Sequence, residues 1–142
     1  MNISAPHFKL EMNPKTRLVE GNGGPYFDWI TCDIDIVVPG IKANIEWIVM
    51  PSEIVRFSNG LEEIYRSLQP GSGAILHGAE RNFELRVDLM DRGGLRCEYR
   101  LQASAADGAT LTGYFEIDQS YIPEMITDLN QILDFRISEK PP

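Results

Sequence analysis

Residues 30–49 read ITCDIDIVVPGIKANIEWIV, and this stretch decides the fold. On each side of Pro39-Gly40 every second residue is apolar, and the residues between are mostly polar or charged. Alternation with a period of two predicts β-strands that have one buried face and one wet face. A two-residue turn places Val38 opposite Ile41 and keeps both apolar sets on one face. We therefore predict an antiparallel hairpin.

A second hairpin follows from the same alternation in residues 83–89 and 95–101. Apolar residues occupy odd positions in both segments, so a two-residue loop would turn them to opposite faces. A three-residue loop, Asp91-Arg92-Gly93, restores the agreement, and Gly93 suits the left-handed position of a bulged turn. Parity and turn chemistry therefore predict the same loop.

Shorter strands complete the predicted sheet. They are expected at residues 8–12, 17–20, 74–77 and 111–117. The segment Arg17–Glu20 is expected to pair back on residues 8–12 across Asn13-Pro14. Gly113 falls on the buried side of its strand, which indicates that something bulky packs close to it, either a helix or a large neighbour such as Tyr99.

Two segments change to a helical period. Apolar residues recur three or four positions apart in residues 54–68, between Pro51 and Pro70, and again in residues 122–133. Each stripe is one-sided, so each helix needs an apolar surface to cover. The chain is therefore predicted to be an α+β protein, with an antiparallel sheet of about six to seven strands and two amphipathic helices packed on one face. We expect one domain over residues 1–142, in which residues 1–26 form amino-terminal strands and a loop.

The charge balance limits the classes of partner. The chain has 13 Lys and Arg residues against 21 Asp and Glu residues, a net charge of −8. Nucleic-acid binders normally carry a basic patch, and an anionic membrane repels an acidic chain, so we expect neither partner. Acidic charge favours solubility, and it also speeds encounter with a basic protein. The charge alone leaves both interpretations open.

Cysteine usage and the first residues bear on the compartment. Residues 1–6 lack the basic and apolar regions of a secretion signal, and no apolar run approaches the roughly 20 residues of a membrane span. Cys32 and Cys97 are too few for a disulfide scaffold and fall at strand positions predicted to be buried. These features predict free thiols in a cytoplasmic protein.

Side chains with reactive chemistry are scattered through the sequence. His7 and His77 lack cysteine or carboxylate neighbours at ligand spacing, so a zinc site is not expected. Asp33 and Asp35 share a strand face, and Glu46 on the partner strand could join them to hold a hard cation or act in acid–base chemistry. Mixed charges on an open face more often form a solvated surface. We predict no catalytic residue, no cofactor, no metal site and no enzymatic activity.

The remaining function is recognition through the charged side of the predicted sheet. An aromatic side chain among charged ones is typical of protein interfaces, although the same pattern is also that of an ordinary wet sheet face. The candidate partner-binding residues, all expected on one face, are Asp33, Asp35, Glu46, Glu84, Asp88, Glu98, Tyr114 and Glu116.

The order of several segments resembles that of a known family. The segments are Phe27-Asp28-Trp29-Ile30, Ile54-Val55-Arg56-Phe57, Leu61-Glu62-Glu63-Ile64-Tyr65, Ala74, Phe83-Glu84-Leu85 and the run from Phe115 to Pro123. Together they resemble the WapI family of bacterial immunity proteins, and related uncharacterised bacterial domains, over residues 27–135. These are mostly structural residues, so the resemblance indicates a fold more than an activity.

The resemblance implies a cytosolic protein that binds the carboxy-terminal domain of a polymorphic toxin and blocks it. Such toxins are often nucleases with basic surfaces, which an acidic binding protein complements. Two alternatives remain open: a small-ligand-binding protein or enzyme with a pocket between sheet and helices, and a homo-oligomeric module, such as a homodimer. A deep pocket lined by Tyr99, Tyr65 or His77 would favour the first alternative.

Overall fold

The computed structural model describes residues 1–19, 21–104 and 107–136. Within them the chain forms eight strands and two α-helices, in two successive halves. The first half contains β1 (Asn2–Ala5), β2 (Phe8–Leu18), β3 (Trp29–Val38), β4 (Ile41–Val49) and α1 (Pro51–Ser67). The second half contains β5 (Gly73–Leu76), β6 (Phe83–Leu89), β7 (Gly94–Gln102), β8 (Thr110–Asp118) and α2 (Ile122–Leu133). Single 3₁₀ turns at Pro25–Phe27 and Gln119–Tyr121 precede β3 and α2.

The α+β class is confirmed, but the predicted single sheet of six to seven strands is wrong. The described strands form two four-stranded antiparallel sheets, β1-β2-β3-β4 (sheet 1) and β5-β6-β7-β8 (sheet 2). Alternation fixes which side of a strand is buried, but it does not fix whether strands separated by a helix pair with one another. Helix α1 interrupts the chain after β4, and β5 pairs with β6 instead. The chain thus repeats four strands and a helix twice.

The two sheets pack against each other through their apolar faces. The ring of Phe8 in sheet 1 stacks on Phe115 in sheet 2 with centroids 3.8 Å apart, and Trp47 meets Phe83 edge-on at 5.0 Å. One cluster of buried side chains includes residues of both sheets and both helices. Each sheet is therefore covered by the other sheet as well as by helices, which corrects the predicted arrangement of helices on one face of one sheet.

Each helix contacts the sheet of the other half. Helix α1 follows sheet 1 in the chain but packs against β5 of sheet 2 and against α2. Helix α2 follows sheet 2 but approaches β1, where the backbone N–H of Asn2 donates to Asp128 Oδ2 at 3.0 Å. The hydroxyl of Tyr121, just before α2, also donates to the carbonyl of Ser4 at 3.1 Å. The two halves are therefore joined by exchanged helices.

Both predicted hairpins are confirmed. Val38 pairs with Ile41, as the register in residues 30–49 requires. In the second hairpin the N–H of Met90 donates to the carbonyl of Gly94 at 2.8 Å, which leaves the three-residue loop 91–93. Gly93 has a φ of +83°, the left-handed conformation that glycine adopts without a steric penalty.

Of the two kinds of neighbour expected at Gly113, a helix or a large side chain, the structure shows the side chain of Tyr99. Gly113 pairs with Tyr99 across β7 and β8. A Cβ atom at Gly113 would lie 2.6 Å from Cζ of Tyr99, closer than a side chain tolerates. The missing side chain therefore makes room for the tyrosine ring.

The predicted amino-terminal pairing is wrong. Strand β2 runs without interruption from Phe8 to Leu18 and pairs with β1 and β3, so Asn13-Pro14 is not a turn. The register against β3 shifts between Pro14 and Thr16. A bulge accommodates a proline, which lacks the N–H needed for the ladder, and so the strand continues past it. Glu20, the end of the predicted short strand, lies outside the described residues.

No helix among the described residues is both long enough and apolar enough to cross a membrane.

Candidate interaction surfaces

Three of the eight candidate residues lie together on the outer face of sheet 1. Asp33 pairs with Glu46 across β3 and β4, so the expected proximity of these two carboxylates is confirmed. Lys15 Nζ donates to Glu46 Oε1 at 2.6 Å and lies 3.8 Å from Asp33 Oδ1. Asp35 accepts a hydrogen bond of 2.7 Å from Asn44 Nδ2. Each carboxylate on this face thus has a partner from its own sheet.

The ammonium of Lys15 occupies the place where a cation would balance Asp33 and Glu46. The hydrogen bond to Glu46, followed by the charge of Asp33, raises the pKa of Lys15 above its ordinary value. Among the described residues no group of three or more His, Cys, Asp or Glu side chains has the geometry of a metal site. The arrangement is an ion-paired surface and not a vacant cation site.

The other five candidate residues lie on the outer face of sheet 2. They are Glu84, Asp88, Glu98, Tyr114 and Glu116. Three arginines, Arg86, Arg96 and Arg100, alternate with them in the register. Arg96 therefore stands between Asp88 on one neighbouring strand and Glu116 on the other. The face is a pattern of alternating charges across three strands.

Arg96 is the centre of the sheet 2 face. Its Nε donates to Glu98 Oε1 at 3.1 Å, and its guanidinium lies 4.0 Å above the ring centroid of Tyr114. The hydrogen bond to Glu98 raises the pKa of Arg96. Tyr114 remains 59% exposed beneath this cation. An arginine stacked on an exposed tyrosine combines the two residue types that protein interfaces favour most strongly.

The expectation that all eight residues share one face is wrong. Asp33, Asp35 and Glu46 face solvent from sheet 1, whereas the other five face solvent from sheet 2. Because the sheets meet through their apolar sides, their charged sides point away from each other. One flat partner surface cannot contact both groups.

Neither outer face carries most of the acidic excess of the chain. Along the described strands, the face of sheet 1 presents three cationic side chains against four carboxylates, and the face of sheet 2 presents three against five. Those of sheet 1 are Lys9, Lys15, Lys42, Glu11, Asp33, Asp35 and Glu46, and those of sheet 2 are Arg86, Arg96, Arg100, Glu84, Asp88, Glu98, Glu116 and Asp118. The excess concentrates instead in residues 101–135, which contain six carboxylates and no Lys or Arg. This uneven distribution of charge can be read from the sequence, but the sequence analysis did not use it. The run includes all of α2.

Sequence reasoning also missed a buried arginine at the end of sheet 1. Arg17 is 3% exposed, and its Nε donates to Asp28 Oδ2 at 2.8 Å. The same guanidinium donates to the carbonyls of Leu133 at 2.7 Å, Phe135 at 3.1 Å and Pro25 at 3.0 Å. It joins β2, the loop before β3 and the end of α2.

The loop held by Arg17 presents two aromatic side chains to solvent. Tyr26 is 58% exposed and Phe27 is 55% exposed. Leu18 and Val19, at the end of β2, are also exposed. These four exposed apolar side chains lie at the end of β2 and in the loop before β3.

Both cysteines are buried free thiols, as predicted. Burial raises the pKa of Cys32 to about 12, and burial likewise raises the pKa of Cys97 to about 12. Both therefore stay protonated near neutral pH, whereas a nucleophile must be a thiolate.

A cleft of about 920 Å³ opens between the start of α1 and the β5–β6 connection. His77 contributes to its wall, as the small-ligand alternative requires. The lining is Met50, Ser52, Glu53, Arg56, His77, Gly78, Ala79, Arg81, Phe83, Glu84 and Arg100. Of the three residues named for the small-ligand alternative, His77 lines this cleft, whereas Tyr65 and Tyr99 do not.

Comparisons with known proteins place this fold. The crystal structure of WHY1 from Arabidopsis thaliana matches with a TM-score of 0.52 and 14% identity, over 96% of this chain and 89% of that chain. WHY3 from the same plant matches with a TM-score of 0.51 and 12% identity, over 94% and 85%. The plant transcriptional regulator PBF-2 matches with a TM-score of 0.52 and 11% identity, over 95% and 80%. At these identities the similarity concerns the fold alone.

No curated protein sequence matches this chain. A family model does match it, over residues 5–135, and so extends across both sheets and both helices. The match begins in the amino-terminal region, well before the segments that carry the sequence resemblance. The chain belongs to the immunity protein WapI-like family.

Proposed function

We propose that this protein is a cytoplasmic, non-catalytic immunity protein that neutralises a bacterial toxin domain by binding it directly. The observation that carries the proposal is membership of the WapI-like immunity family across residues 5–135. An immunity protein requires a toxin as its counterpart, and direct occlusion is the simplest way for a compact domain to block one. The toxin is the partner, and the complex is the functional state.

The chemistry of the side chains supports binding over turnover. Burial holds the pKa of Cys97 at about 12, so its thiol is a poor nucleophile. Several carboxylates of the two outer faces already engage cations, such as Asp88 with Arg86 at 3.4 Å and Glu98 with Arg96 at 3.1 Å.

We place the toxin-binding surface on the outer face of sheet 2. This face carries five of the eight candidate residues, and Arg96 on β7 stacks on Tyr114 of the edge strand β8 to form an anchor. Glu84, Asp88, Glu98 and Glu116 surround that anchor and recognise cationic groups of the toxin. Exposed tyrosine and arginine side chains in a defined geometry lose little entropy on binding, which favours them as energetic hot spots. Asp33, Asp35 and Glu46 on sheet 1 form a separate surface that the same toxin surface does not reach.

The toxin domain is proposed to be basic. The net charge of −8 attracts a cationic partner from a distance and repels nucleic acid. Residues 101–135, which contain six carboxylates and no Lys or Arg, include β8, an edge strand of sheet 2, and α2. Charge therefore speeds the encounter with a cationic toxin, and the side chains of the outer face of sheet 2 supply the contacts.

Co-expression with the toxin domain encoded beside its gene tests the proposal. We expect restored growth and a complex that can be purified. Tyr114→Ala is expected to weaken affinity by about 30-fold, the effect of losing a hot spot of about 2 kcal/mol. Glu98→Arg is expected to weaken it comparably, whereas Asp35→Arg, with the same charge change on sheet 1, should change affinity little.

Each outcome bears on a different part of the proposal. Absence of a complex and of growth rescue with the wild-type protein would contradict toxin neutralisation by binding. Equal losses for Glu98→Arg and Asp35→Arg would show that only overall charge matters. A larger loss for Asp35→Arg would move the binding surface to sheet 1. A complex that breaks up a homodimer would instead favour the homo-oligomeric alternative for the free protein.

A further inference from the structure

The cleft beside α1 has a charge opposite to that of the molecule as a whole. Three arginines, Arg56, Arg81 and Arg100, contribute to its wall, although the chain has a net charge of −8. They come from three different elements: α1, the β5–β6 connection and β7. His77 adds a ring nitrogen from the start of the same connection. The fold thus gathers cationic donors that are far apart in the sequence.

The wall of the cleft is fixed by hydrogen bonds to neighbouring strands. Trp47 Nε1 donates to the carbonyl of Glu80 at 2.8 Å, and Asn82 Nδ2 donates to the carbonyl of Glu46 at 3.0 Å. Both bonds tie the β5–β6 connection to β4. Arg100 Nη1 donates to the carbonyl of Arg81 at 2.8 Å, which ties the same connection to β7. A wall held in this way is largely formed before a ligand arrives, which lowers the entropic cost of binding.

Two of the three arginines of the cleft remain available to a ligand, whereas Arg100 donates to the carbonyl of Arg81 and to Gln102 Oε1. Within the described part of the chain Arg56 and Arg81 form no ion pair, and both are exposed. Two carboxylates also belong to the lining. Glu53 is buried and accepts the backbone N–H of Met50 at 2.9 Å, so it caps α1. Glu84 is half-buried on the sheet 2 side and is the remaining acidic group.

We propose that this cleft is a binding site for a small, multiply charged oxyanion. Guanidinium groups bind carboxylate and phosphate oxygens through paired hydrogen bonds, which gives both strength and orientation. The volume of about 920 Å³ falls within the roughly 300–1,000 Å³ usual for ligand sites. A small anion in the cleft senses mainly the nearby arginines, because salt screens charges beyond about 8–10 Å. This site goes beyond toxin neutralisation and does not depend on it.

Calorimetric titration of the full chain with sodium pyrophosphate and with sodium citrate tests the site. We expect saturable binding of at least one probe, and the stronger probe identifies phosphate or carboxylate as the preferred group. Arg56→Gln and Arg81→Gln are each expected to weaken binding about tenfold or more, because a hydrogen bond to a charged group contributes about 1.5–3 kcal/mol. Arg66→Gln is the matched control, since Arg66 lies on the same helix and pairs with Glu63 at 2.7 Å, outside the cleft.

The variants separate a specific site from general electrostatics. A loss confined to Arg56→Gln and Arg81→Gln, together with tighter binding by Glu84→Gln, supports the site. Equal losses for Arg56→Gln and Arg66→Gln would overturn it, as would the absence of saturation with both probes at millimolar concentration. Neither readout involves the toxin, so a failure here is distinct from a failure of the proposed function.

Discussion

The outer faces of sheet 1 and sheet 2 have matching strand orders and nearly the same charge balance, but they use different side chains. On sheet 1 the cations are lysines, and Lys15 alone is shared between Asp33 and Glu46. On sheet 2 the cations are arginines, and Arg96 is fixed by both Glu98 and the ring of Tyr114. Lysine is a mobile point charge, whereas arginine offers a planar group that stacks and binds in pairs. The two sheets have the same strand order, but the outer face of sheet 1 is a solvated surface and that of sheet 2 is preorganised for binding.

The largest expected difference in stability is between replacing a buried arginine of sheet 1 and replacing an exposed arginine of sheet 2. Arg17→Met removes an ion pair and the donor for three backbone carbonyls, so it should lower the free energy of unfolding by about 3–5 kcal/mol. Arg96→Met removes an exposed pair and should change the free energy of unfolding little. Urea unfolding measures both, and similar losses would contradict the distinction.

A smaller loss of stability is expected from filling the space at Gly113 on the inner side of sheet 2. Gly113→Ala places a methyl group against the ring of Tyr99, which itself contacts Phe8 of sheet 1 at a centroid distance of 5.1 Å. We expect a loss of about 1–3 kcal/mol, the usual cost of overpacking. Thr112→Ala, on the exposed side of the same strand, is the control. Equal stability of the two variants would mean that Tyr99 moves aside freely.

The last prediction concerns how stability depends on pH through the two cysteines. Cys32 and Cys97 lie in the third strand of sheet 1 and of sheet 2, and near neutral pH we expect no effect from their ionisation. Burial raises the pKa of Cys32 from 9.0 to about 12, and it raises the pKa of Cys97 to the same value. Folding therefore favours the protonated thiols. This contribution is complete below pH 9 and is lost as the pH rises from 9 towards 12, because the unfolded chain ionises first.

Unfolding by urea at pH 8 and pH 10 measures this loss, with the double variant Cys32→Ala, Cys97→Ala as the control for other groups. The double variant should lose less stability between the two pH values than the wild type. A thiol reagent at pH 8 should label neither cysteine in the folded protein and both in urea. Rapid labelling of one thiol in the folded state would mean that its sheet opens more readily than the other.

Local features of the fold could be predicted from the sequence because each was fixed by near neighbours. The parity of residues 30–49 sets the Val38–Ile41 register, and the parity of the second hairpin sets a three-residue loop. The space at Gly113 follows from one residue that lacks a side chain opposite a large one. Such features depend on spacing along one or two strands, which the sequence states directly.

Long-range features could not be predicted from the same signals. Nothing in the alternation indicates that β5 starts a new sheet after α1, so the eight candidate residues were assigned to one face. The bulge between Pro14 and Thr16 reverses the parity of β2, and this turns Arg17 inwards. The cleft gathers Arg56, Arg81 and Arg100 from three elements, so no spacing along the chain marks it.

The exchange of helices has a consequence for how the two halves depend on each other. Helix α1 covers the sheet that follows it, and α2 is bonded to strands at the beginning of the chain. Removing either half would take away the cover of the other and expose its apolar side to water. We therefore expect the two halves to unfold together as one cooperative unit and not as two independent modules, so that a defect in either is felt by both.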